Sequence, residues 1–428
     1  MSEETKIGNS EHSSNRGFAR FGAAVGLANF GDGIAVVAWA WTASLLTRDP
    51  LWIAILPATL RVPWVLFALI SGILADRADR RKLIVLCDVI RAIAYGAAAV
   101  LIFRNLPLAE PAVEGVGNTS LYFSLLALGF VIGSAEVTRD NAAQTMLPAI
   151  VAADRLERAN GWLGSVETVG NEMAGPALGA FLLALFLPAP FIVVAFAFLL
   201  AALLIGSLTG NFKAVQHLVE PPRLREELME GFRFVTGEPL LRVLVIVTGF
   251  WNFFAQMVLI ALVLHVQENL TAGSTTYGLI LAVGALGGVF GGVIVSPLLK
   301  IMSKGAMAQW TALASTPVFL LIAAAPGPIT VAIALFIFYL TGIMWNTLSI
   351  SYRQRVVPDE IRGRVNSVYR LFAWGTMPLG LLASGAVVSF AEGVMGRNAA
   401  LVMPFLLAAL GVLILSALSW RALGRGFG

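Results

Sequence analysis

A short charged stretch at residues 72–82 reads Gly-Ile-Leu-Ala-Asp-Arg-Ala-Asp-Arg-Arg-Lys. It begins at the end of one apolar segment, residues 51–74, and runs up to the next, residues 83–103. Each segment holds the roughly 20 residues that an α-helix needs to cross the ~30 Å hydrocarbon layer of a membrane. Two such segments joined by a charged loop predict a membrane-spanning helical hairpin.

The composition extends this interpretation to the whole chain. Of 428 residues, 58% are apolar and 13% are charged, whereas soluble domains are about 45–50% apolar and about 25% charged. The formal charge of +4 does not indicate nucleic-acid binding, because the basic residues lie in short loops and not in one basic patch. With one cysteine, Cys87, the chain cannot form an intramolecular disulfide or a cysteine-based metal cluster.

The hydrophobic pattern predicts twelve membrane spans. Residues 1–17 are polar and do not resemble a signal peptide, so the first apolar segment is expected to remain in the protein. Two boundaries rest on proline-rich turns, Pro188-Ala-Pro190 and Pro326-Gly-Pro328. The prediction is an all-α integral membrane protein. Its spans are residues 19–46, 51–74, 83–103, 120–143, 161–187, 190–209, 240–267, 275–299, 306–325, 328–352, 365–390 and 398–420.

The basic residues predict the orientation of these spans. Arg48, Arg104 and Arg397 fall in loops of one side, and most of the 29 lysines and arginines fall on the other side. Cytoplasmic loops carry the excess of basic residues, so both termini are expected in the cytoplasm.

A weak internal repeat divides the chain. Gln144-Thr-Met-Leu-Pro148 in the first half resembles Gln354-Arg-Val-Val-Pro358 in the second, and duplicated six-helix halves are a recurring transporter plan. Between the halves, apolar residues at helical spacing predict an amphipathic helix on the inner membrane face. The predicted parts are an N-terminal tail (1–18), a first six-helix bundle (19–209), a linker with the amphipathic helix (210–239), a second, pseudo-symmetric six-helix bundle (240–420) and a C-terminal tail (421–428).

The chain resembles the major facilitator superfamily over residues 19–420. The stretch 72–82 is similar to the superfamily motif G-x-L-A-D-R-x-G-R-[RK], with Asp79 at a position usually held by glycine. Three further stretches resemble the branch that contains macrolide and enterobactin exporters. They are Asn29-Phe-Gly31-Asp32, Arg139-Asp140-Asn141 and Val357-Pro358-Asp-Glu-Ile-Arg362-Gly363-Arg364.

The motif loop is expected to act as a cytoplasmic latch. Asp76 would lie against the positive N-terminus of the eleventh span, near Arg364 to Ser367. The alternative is that these charges serve orientation alone. The latch residues are Gly72, Asp76, Arg77, Arg80 and Arg81.

The fifth span resembles the antiporter motif G-P-x-x-G-G of the drug exporters. Its glycines permit close helix contact and its proline permits a kink. The upstream glycine spacing differs by one residue, and Ala180 replaces the last glycine. The residues of this antiporter-like helix are Gly170, Gly175, Pro176 and Gly179.

Ionisable residues inside a membrane are functional candidates, because they are costly to place there. Asp32 and Glu136 are the leading proton-coupling candidates, and Glu172 follows. The alternative interpretation is a set of structural ion pairs with Arg61, Arg91 and Arg139. The remaining candidates are Glu167 and Asp140 for coupling, with Arg139 and Arg370 as internal charges.

Several aromatic and amide residues are candidates to line a substrate cavity, although a lipid-facing role is an equal alternative for each aromatic residue. We find no nucleophile–base pair, ATP-binding loop or metal-ligand cluster in the sequence, so no enzymatic activity, cofactor or metal is expected. The cavity candidates are Trp39, Trp41, Asn252, Gln256, Trp345 and Asn346.

Together these features predict a monomeric, proton-coupled exporter of a small amphipathic or hydrophobic compound, such as a drug, siderophore or metabolite, working by alternating access in a bacterial inner membrane. Its expected partners are that small molecule, protons and membrane lipids, and no nucleic acid. Two alternatives are flipping of lysophospholipids or other lipids, and a receptor that does not transport.

Overall fold

A computed structural model describes residues 3–152, 155–210, 212–213, 224–358 and 361–427. Within these ranges, the side chains of residues 3–15, 68–69, 72–73, 76–77, 157, 224–225 and 227–228 lie outside the description. The regular structure of the described chain is helical, mostly α with short 3₁₀ and π-helical turns, so that the backbone amides of the spans find their partners mostly within the same helix.

The described residues of the first part of the chain form seven α-helices. They are α1 (Glu3–Leu46), α2 (Pro50–Arg77), α3 (Arg80–Arg104), α4 (Thr119–Met146), α5 (Leu156–Thr168), α6 (Gly175–Leu185) and α7 (Ala189–Gly206).

Nine described helices follow. They are α8 (Leu224–Gly237), α9 (Pro239–Leu264), α10 (Ser274–Leu298), α11 (Lys304–Ala323), α12 (Pro328–Val356), α13 (Arg362–Gly375), α14 (Met377–Met395), α15 (Arg397–Ala400) and α16 (Met403–Gly426).

Eleven helical runs within the described ranges are long and apolar enough to cross a membrane. The twelfth span is the fifth along the chain, where α5, a π-helical turn at Val169–Ala174 and α6 follow one another directly. Pro176 lacks an N–H group and its ring collides with the preceding turn of a regular helix, so a wider turn accommodates it. The predicted all-α membrane fold with twelve spans is confirmed.

The proline-rich boundaries predicted from sequence also end helices in the structure. Helix α6 ends at Leu185 and α7 begins at Ala189, whereas α11 ends at Ala323 and α12 begins at Pro328. Proline is favoured in the first turn of a helix, where its missing N–H would have no partner.

Asp79, the residue that departs from the motif, is the N-cap of α3. Its carboxylate accepts a hydrogen bond from the Lys82 N–H at 3.2 Å, and its backbone is extended with φ −69°. Glycine is therefore not required here, because the turn needs no positive φ and aspartate satisfies a free N–H group of the helix.

The chain forms two compact units. Unit 1 comprises the described residues of Met1–Thr42, Thr59–Ala109 and Asn118–His217. Unit 2 comprises those of Ala43–Ala58, Glu110–Gly117 and Leu218–Gly428. Unit 1 has a core in which α1, α3, α4 and α7 contribute buried side chains such as Phe21, Ile84 and Ile205, and unit 2 has a core built around Leu244, Met307 and Val365.

The predicted amphipathic helix of the linker is α8. Val235 is buried in the core of unit 2, and Phe232 stacks on Phe372 of α13 with ring centroids 6.5 Å apart. Gly231 lets the backbone of Arg364 approach, since a Cβ atom there would lie 2.7 Å from the Arg364 oxygen. Helix α8 thus packs against α13. Residues 211 and 214–223 of the linker lie outside the described residues.

Candidate functional site: a buried ion network

Arg91, on α3, lies at the centre of a buried ion network in unit 1. Its side chain is fully buried, and Nη2 donates hydrogen bonds to Asp32 Oδ1 of α1 and to Glu136 Oε2 of α4, the latter at 3.4 Å. The guanidinium also lies 3.9 Å above the ring of Phe198 on α7. Burial keeps water from these charges, so the carboxylates and the ring replace part of the hydration of the cation, whereas its Nε and Nη1 have no hydrogen-bond partner in the described structure.

Glu136 has further partners on α2. Its Oε1 lies 3.5 Å from Arg61 Nη1 and accepts a hydrogen bond from Trp64 Nε1 at 3.2 Å. Glu136 is 6% exposed, whereas the side chain of Arg61 is 30% exposed. Glu136 therefore joins α2, α3 and α4, and one of its two cations has access to the surface of the unit.

Arg139 is the centre of a second cluster. Its Nε donates to Asp88 Oδ1 at 3.2 Å, its Nη1 lies 3.3 Å from Asp140 Oδ1, and its Nη2 donates to the Ala24 carbonyl at 3.3 Å. Asp88 is completely buried, and its Oδ2 has no hydrogen-bond partner in the described structure. Cys87, beside it, is also buried.

Asp88 is a functional candidate that the sequence reasoning missed. It lies near the charged start of α3, where the sequence alone does not show that a carboxylate is buried. A signal was present, because Asp88 and Arg91 are three residues apart on an apolar span and therefore share a helix face. Two opposite charges at this spacing indicate a polar face within the bundle.

The two clusters contain one more acid than base among the described residues. Four carboxylates meet three guanidiniums, so one bound proton or cation would balance their formal charge. The carboxylates are those of Asp32, Asp88, Glu136 and Asp140, and the guanidiniums are those of Arg61, Arg91 and Arg139.

The antiporter-like helix forms a close seam with α1. A Cβ atom on Gly175 would lie 2.8 Å from Gly33 Cα and 2.9 Å from the Phe30 oxygen. One on Gly179 would lie 2.7 Å from the Ile34 oxygen. Glycine is required at both positions because the neighbouring atoms belong to the backbone and cannot rotate away.

The π-helical turn before this seam carries a polar contact with α1. Gly170 lies against Asn29, and Asn171 Nδ2 donates to Asn29 Oδ1 at 3.0 Å. Glu172 is exposed on the surface of unit 1, and Glu167 is partly buried on α5. Neither glutamate is among the ion pairs around Arg91 and Arg139 given above.

Part of the predicted latch is described. Arg80 donates its backbone N–H to the Phe212 carbonyl at 3.2 Å, and Arg81 Nη1 donates to the Leu208 carbonyl at 2.7 Å. These contacts tie the start of α3 to the segment after α7. The latch side chains outside the described residues are those of Asp76 and Arg77, and the surroundings of Gly72 lie outside them as well.

The tryptophans among the cavity candidates lie in the interior. Trp39 is 0% exposed and meets the Phe191 ring edge-on at 5.6 Å, and Trp41 is also buried. Trp345 is part of the core of unit 2 and donates its Nε1–H to Thr248 Oγ1 at 3.1 Å.

The polar cavity candidates have different environments. Asn252 Nδ2 donates to the Ala373 carbonyl at 2.7 Å, and Gln256 is half-buried. Asn346 is exposed on α12. Arg370, the internal charge of the second half, lies 5.1 Å from the centre of the Trp374 ring.

A third ion cluster lies in unit 2, around Arg397. This arginine binds both oxygens of Glu268, at 2.8 and 3.0 Å, and Glu392 at 2.9 Å. Its Nη2 also donates to the Arg48 carbonyl at 2.6 Å, and Arg48 Nη1 donates to Gln267 at 2.7 Å. The cluster therefore holds the turn between α1 and α2 against α9 and α14. Metal chelation is not indicated in the described chain, which lacks a group of three His, Cys, Asp or Glu side chains placed to hold an ion.

Replacing Arg397 with glutamine should destabilise unit 2 by about 1.5–3 kcal/mol, because several charge-assisted hydrogen bonds are lost together. We expect the lower end of this range, since the side chain is 22% exposed, and we expect the difference to shrink in high salt. Thermal unfolding in detergent measures it. Arg242→Gln is the control, because that exposed arginine has one long hydrogen bond, 3.4 Å to Thr236 O. Equal effects of both changes would contradict the prediction.

Known transport proteins resemble this chain along nearly its whole length. A family model described as transmembrane secretion effector matches residues 13–423. The chain is 27% identical to the multidrug efflux pump Tap of Mycolicibacterium fortuitum over 393 residues, covering 89% of this chain and 91% of that protein. It is 26% identical to the multidrug efflux pump Tap of Mycobacterium tuberculosis over 405 residues, covering 92% and 91%.

Solved transporter structures share the fold. The nucleoside transporter NupG superposes with a TM-score of 0.69 at 13% identity, covering 96% of this chain and 99% of that one. A bacterial homolog of the human lysosomal transporter Spinster gives a TM-score of 0.69 at 16% identity, covering 97% and 98%. At these identities the likeness concerns the fold alone.

Proposed function

Because the chain belongs to the transmembrane secretion effector family of the major facilitator superfamily, we propose that it exports a small amphipathic or hydrophobic compound in exchange for protons. It is a membrane transporter and not an enzyme. The relatives named multidrug efflux pump Tap support the outward direction. The excess of basic residues in alternate loops supports a location in a bacterial inner membrane with both termini in the cytoplasm.

The observation that carries proton coupling is the sharing of buried Arg91 between Asp32 and Glu136. A carboxylate bound to a buried arginine is held while it is charged and released when it is protonated. If Asp32 takes up a proton, Arg91 keeps its bond to Glu136, and the proton balances the one acid that the two clusters have in excess. The network can therefore exist in two arrangements that differ by one proton, as a coupled transporter requires.

The position of Asp32 supports a route from proton binding to helix movement. Asp32 directly precedes Gly33, where α1 meets the antiporter-like helix backbone to backbone. Release of Asp32 from Arg91 would free α1 from α3, and the close seam would make α6 follow α1. The second cluster, of Asp88, Arg139 and Asp140, would then be a further place where a proton can bind.

Proton release driven by an added compound tests the proposal. Inside-out membrane vesicles containing the protein are energised, loaded with a pH-sensitive dye and treated with a panel of amphipathic compounds. We expect at least one compound to release protons. Asp32→Asn and Glu136→Gln should each reduce this release at least about tenfold, which corresponds to about 1.4 kcal/mol of coupling.

Asp79→Asn is the matched control, because asparagine is an equally good N-cap and this residue lies outside the ion network. It should retain full coupling. Transport that continues after collapse of the proton gradient would overturn proton exchange, and so would full coupling in both network variants. The latch at Asp76 and the bundle boundaries near residues 209 and 240 remain predictions from the sequence.

A further inference from the structure

Two arginines of unit 2 stack on aromatic rings near one another. The guanidinium carbon of Arg353, on α12, lies 3.6 Å from the centre of the Tyr369 ring on α13. That of Arg370 lies 5.1 Å from the Trp374 ring. Tyr369 and Arg370 are consecutive residues of α13, so the cation that stacks on Tyr369 lies near the cation of Arg370. Two cations near each other repel, so a common anion between them would lower the energy of this arrangement.

Neither guanidinium has an acidic partner among the residues that the structure describes. Arg353 Nε is buried without a hydrogen-bond acceptor. Four described carboxylates elsewhere in unit 2 have partners of their own. Glu230 pairs with Arg364, Glu238 accepts from Tyr352, and Glu268 and Glu392 bind Arg397.

The ring beneath Arg353 is held in place. The Tyr369 hydroxyl lies 2.7 Å from Thr248 Oγ1 and 2.8 Å from Ser349 Oγ. Thr248 also accepts the Trp345 N–H. These bonds join α13 to two other helices, α9 and α12, and Tyr369 is 4% exposed. The guanidinium therefore rests on a fixed surface, which lowers the entropy lost when it binds a ligand.

Arg370 belongs to a polar face of a membrane helix. Asn366, Ser367 and Trp374 lie three or four residues from it along α13, hence on the same side, and all are at least partly exposed. The opposite side of α13 carries Phe372 instead, which is 43% exposed. A polar exposed face within a spanning helix is expected to meet water or a bound polar group.

Helix α12 offers a matching surface. Asn346 lies two helical turns before Arg353, so both side chains project from one face of α12. Asn346 is exposed. An amide and two arginine forks on adjacent helices provide donors, and carboxylate and phosphate groups match the fork of arginine with two parallel hydrogen bonds.

We propose that Arg353 and Arg370 form an anion-binding subsite that takes the carboxylate or phosphate group of an amphipathic substrate. The substrate class of the exporter would then be anionic amphiphiles, with the rings of Tyr369 and Trp374 fixing the two cations. This inference rests on the proposed function and specifies its substrate.

Two probes with the same dodecyl chain and head groups of opposite charge test the subsite. The full-length protein is placed in nanodiscs of zwitterionic lipid and titrated with dodecyl phosphate and with dodecyltrimethylammonium. We expect dodecyl phosphate to bind at least about tenfold more tightly, as a charge-assisted bidentate contact allows. Arg353→Gln and Arg370→Gln should each abolish this preference, whereas Arg353→Lys should keep part of it, because lysine retains the charge and loses the fork.

Arg355→Gln is the control on the same helix, since Arg355 is exposed and its Nε bonds the Ser351 carbonyl at 3.4 Å. It should bind dodecyl phosphate as the unmodified protein does. Thermal unfolding of each variant shows that it is folded. Equal affinity for both probes, or unchanged binding in folded Arg353→Gln and Arg370→Gln variants, would overturn the subsite.

Two further titrations identify the source of the anion. Displacement of dodecyl phosphate by phosphatidylglycerol in the nanodisc assigns the subsite to a lipid headgroup. Displacement by soluble decanoate without an effect of phosphatidylglycerol assigns it to a free amphiphile. Asp32→Asn separates the two proposals, because it should lose proton release and keep probe binding. If the unmodified protein binds the probe but no compound releases protons, proton exchange is rejected and the subsite is retained.

Discussion

Replacing Arg91 with methionine should destabilise the protein by about 3–5 kcal/mol, because it removes one partner of a buried charge group. Asp32 would lose its bond to this cation, and Glu136 would keep Arg61, which is partly exposed. Methionine fills a similar volume, so the loss reports charge and not a cavity. Thermal unfolding followed by tryptophan fluorescence measures the effect, and transport should fall to background.

A second substitution separates charge balance from packing. Adding Asp32→Asn to Arg91→Met removes the stranded carboxylate, so the double variant should recover part of the lost stability although it still cannot couple. Arg104→Met is the control, since Arg104 is exposed at the end of the same helix. If Arg91→Met is no more harmful than Arg104→Met, Arg91 does not have the central role assigned to it.

Gly175→Ala should cost about 1–3 kcal/mol, as overpacking of a close contact does, and should abolish transport. The new methyl group would lie 2.8 Å from Gly33 Cα and 2.9 Å from the Phe30 oxygen of α1, and closer still to the Gly170 oxygen of the π-helical turn. Because all three atoms belong to the backbone, the turn must shift and the helices must separate to admit it. A change of one methyl group would thus break the contact through which α1 and α6 move together. Compound-driven proton release and thermal unfolding measure the two effects.

Gly164→Ala provides a matched comparison on α5. A Cβ atom on Gly164 has no heavy atom within 4 Å, and alanine is favoured over glycine inside a helix by up to about 1 kcal/mol. This variant should be at least as stable as the unmodified protein and should transport normally. If Gly175→Ala is as stable and as active as Gly164→Ala, the close contact between α1 and α6 does not have the role assigned to it.

The spans could be predicted from sequence because the membrane imposes a simple rule. A segment must be long, apolar and helical, and this rule holds without knowledge of its neighbours. The split at Pro188 and that at Pro326-Gly-Pro328 followed from proline chemistry in the same way. The π-helical turn at Val169–Ala174 did not, since the sequence shows where a helix is weakened but not how its turn widens.

The pairing inside the membrane could be predicted in part. The cost of placing a charge inside the membrane identifies Asp32 and Glu136 as functional candidates. The partner of each carboxylate depends on which helix faces meet, and the sequence does not show this. Asp88 could not be singled out in this way, because it lies near the charged start of α3 and its burial depends on the helices packed around it. Trp39 and Trp345 were considered for a cavity, and the structure places both in the interior, where helix packing decides their surroundings.

The thiol of Cys87 gives this chain a practical property. Its side chain is 4% exposed and directly precedes Asp88 in the second ion cluster. Bulky maleimide reagents should therefore leave it unmodified, and cysteines introduced at exposed positions, such as Arg104 and Arg242, would be the groups they modify. Fluorescent or spin labels can then be attached in pairs to an otherwise natural chain, so that distances between helices are followed while compound or acid is added.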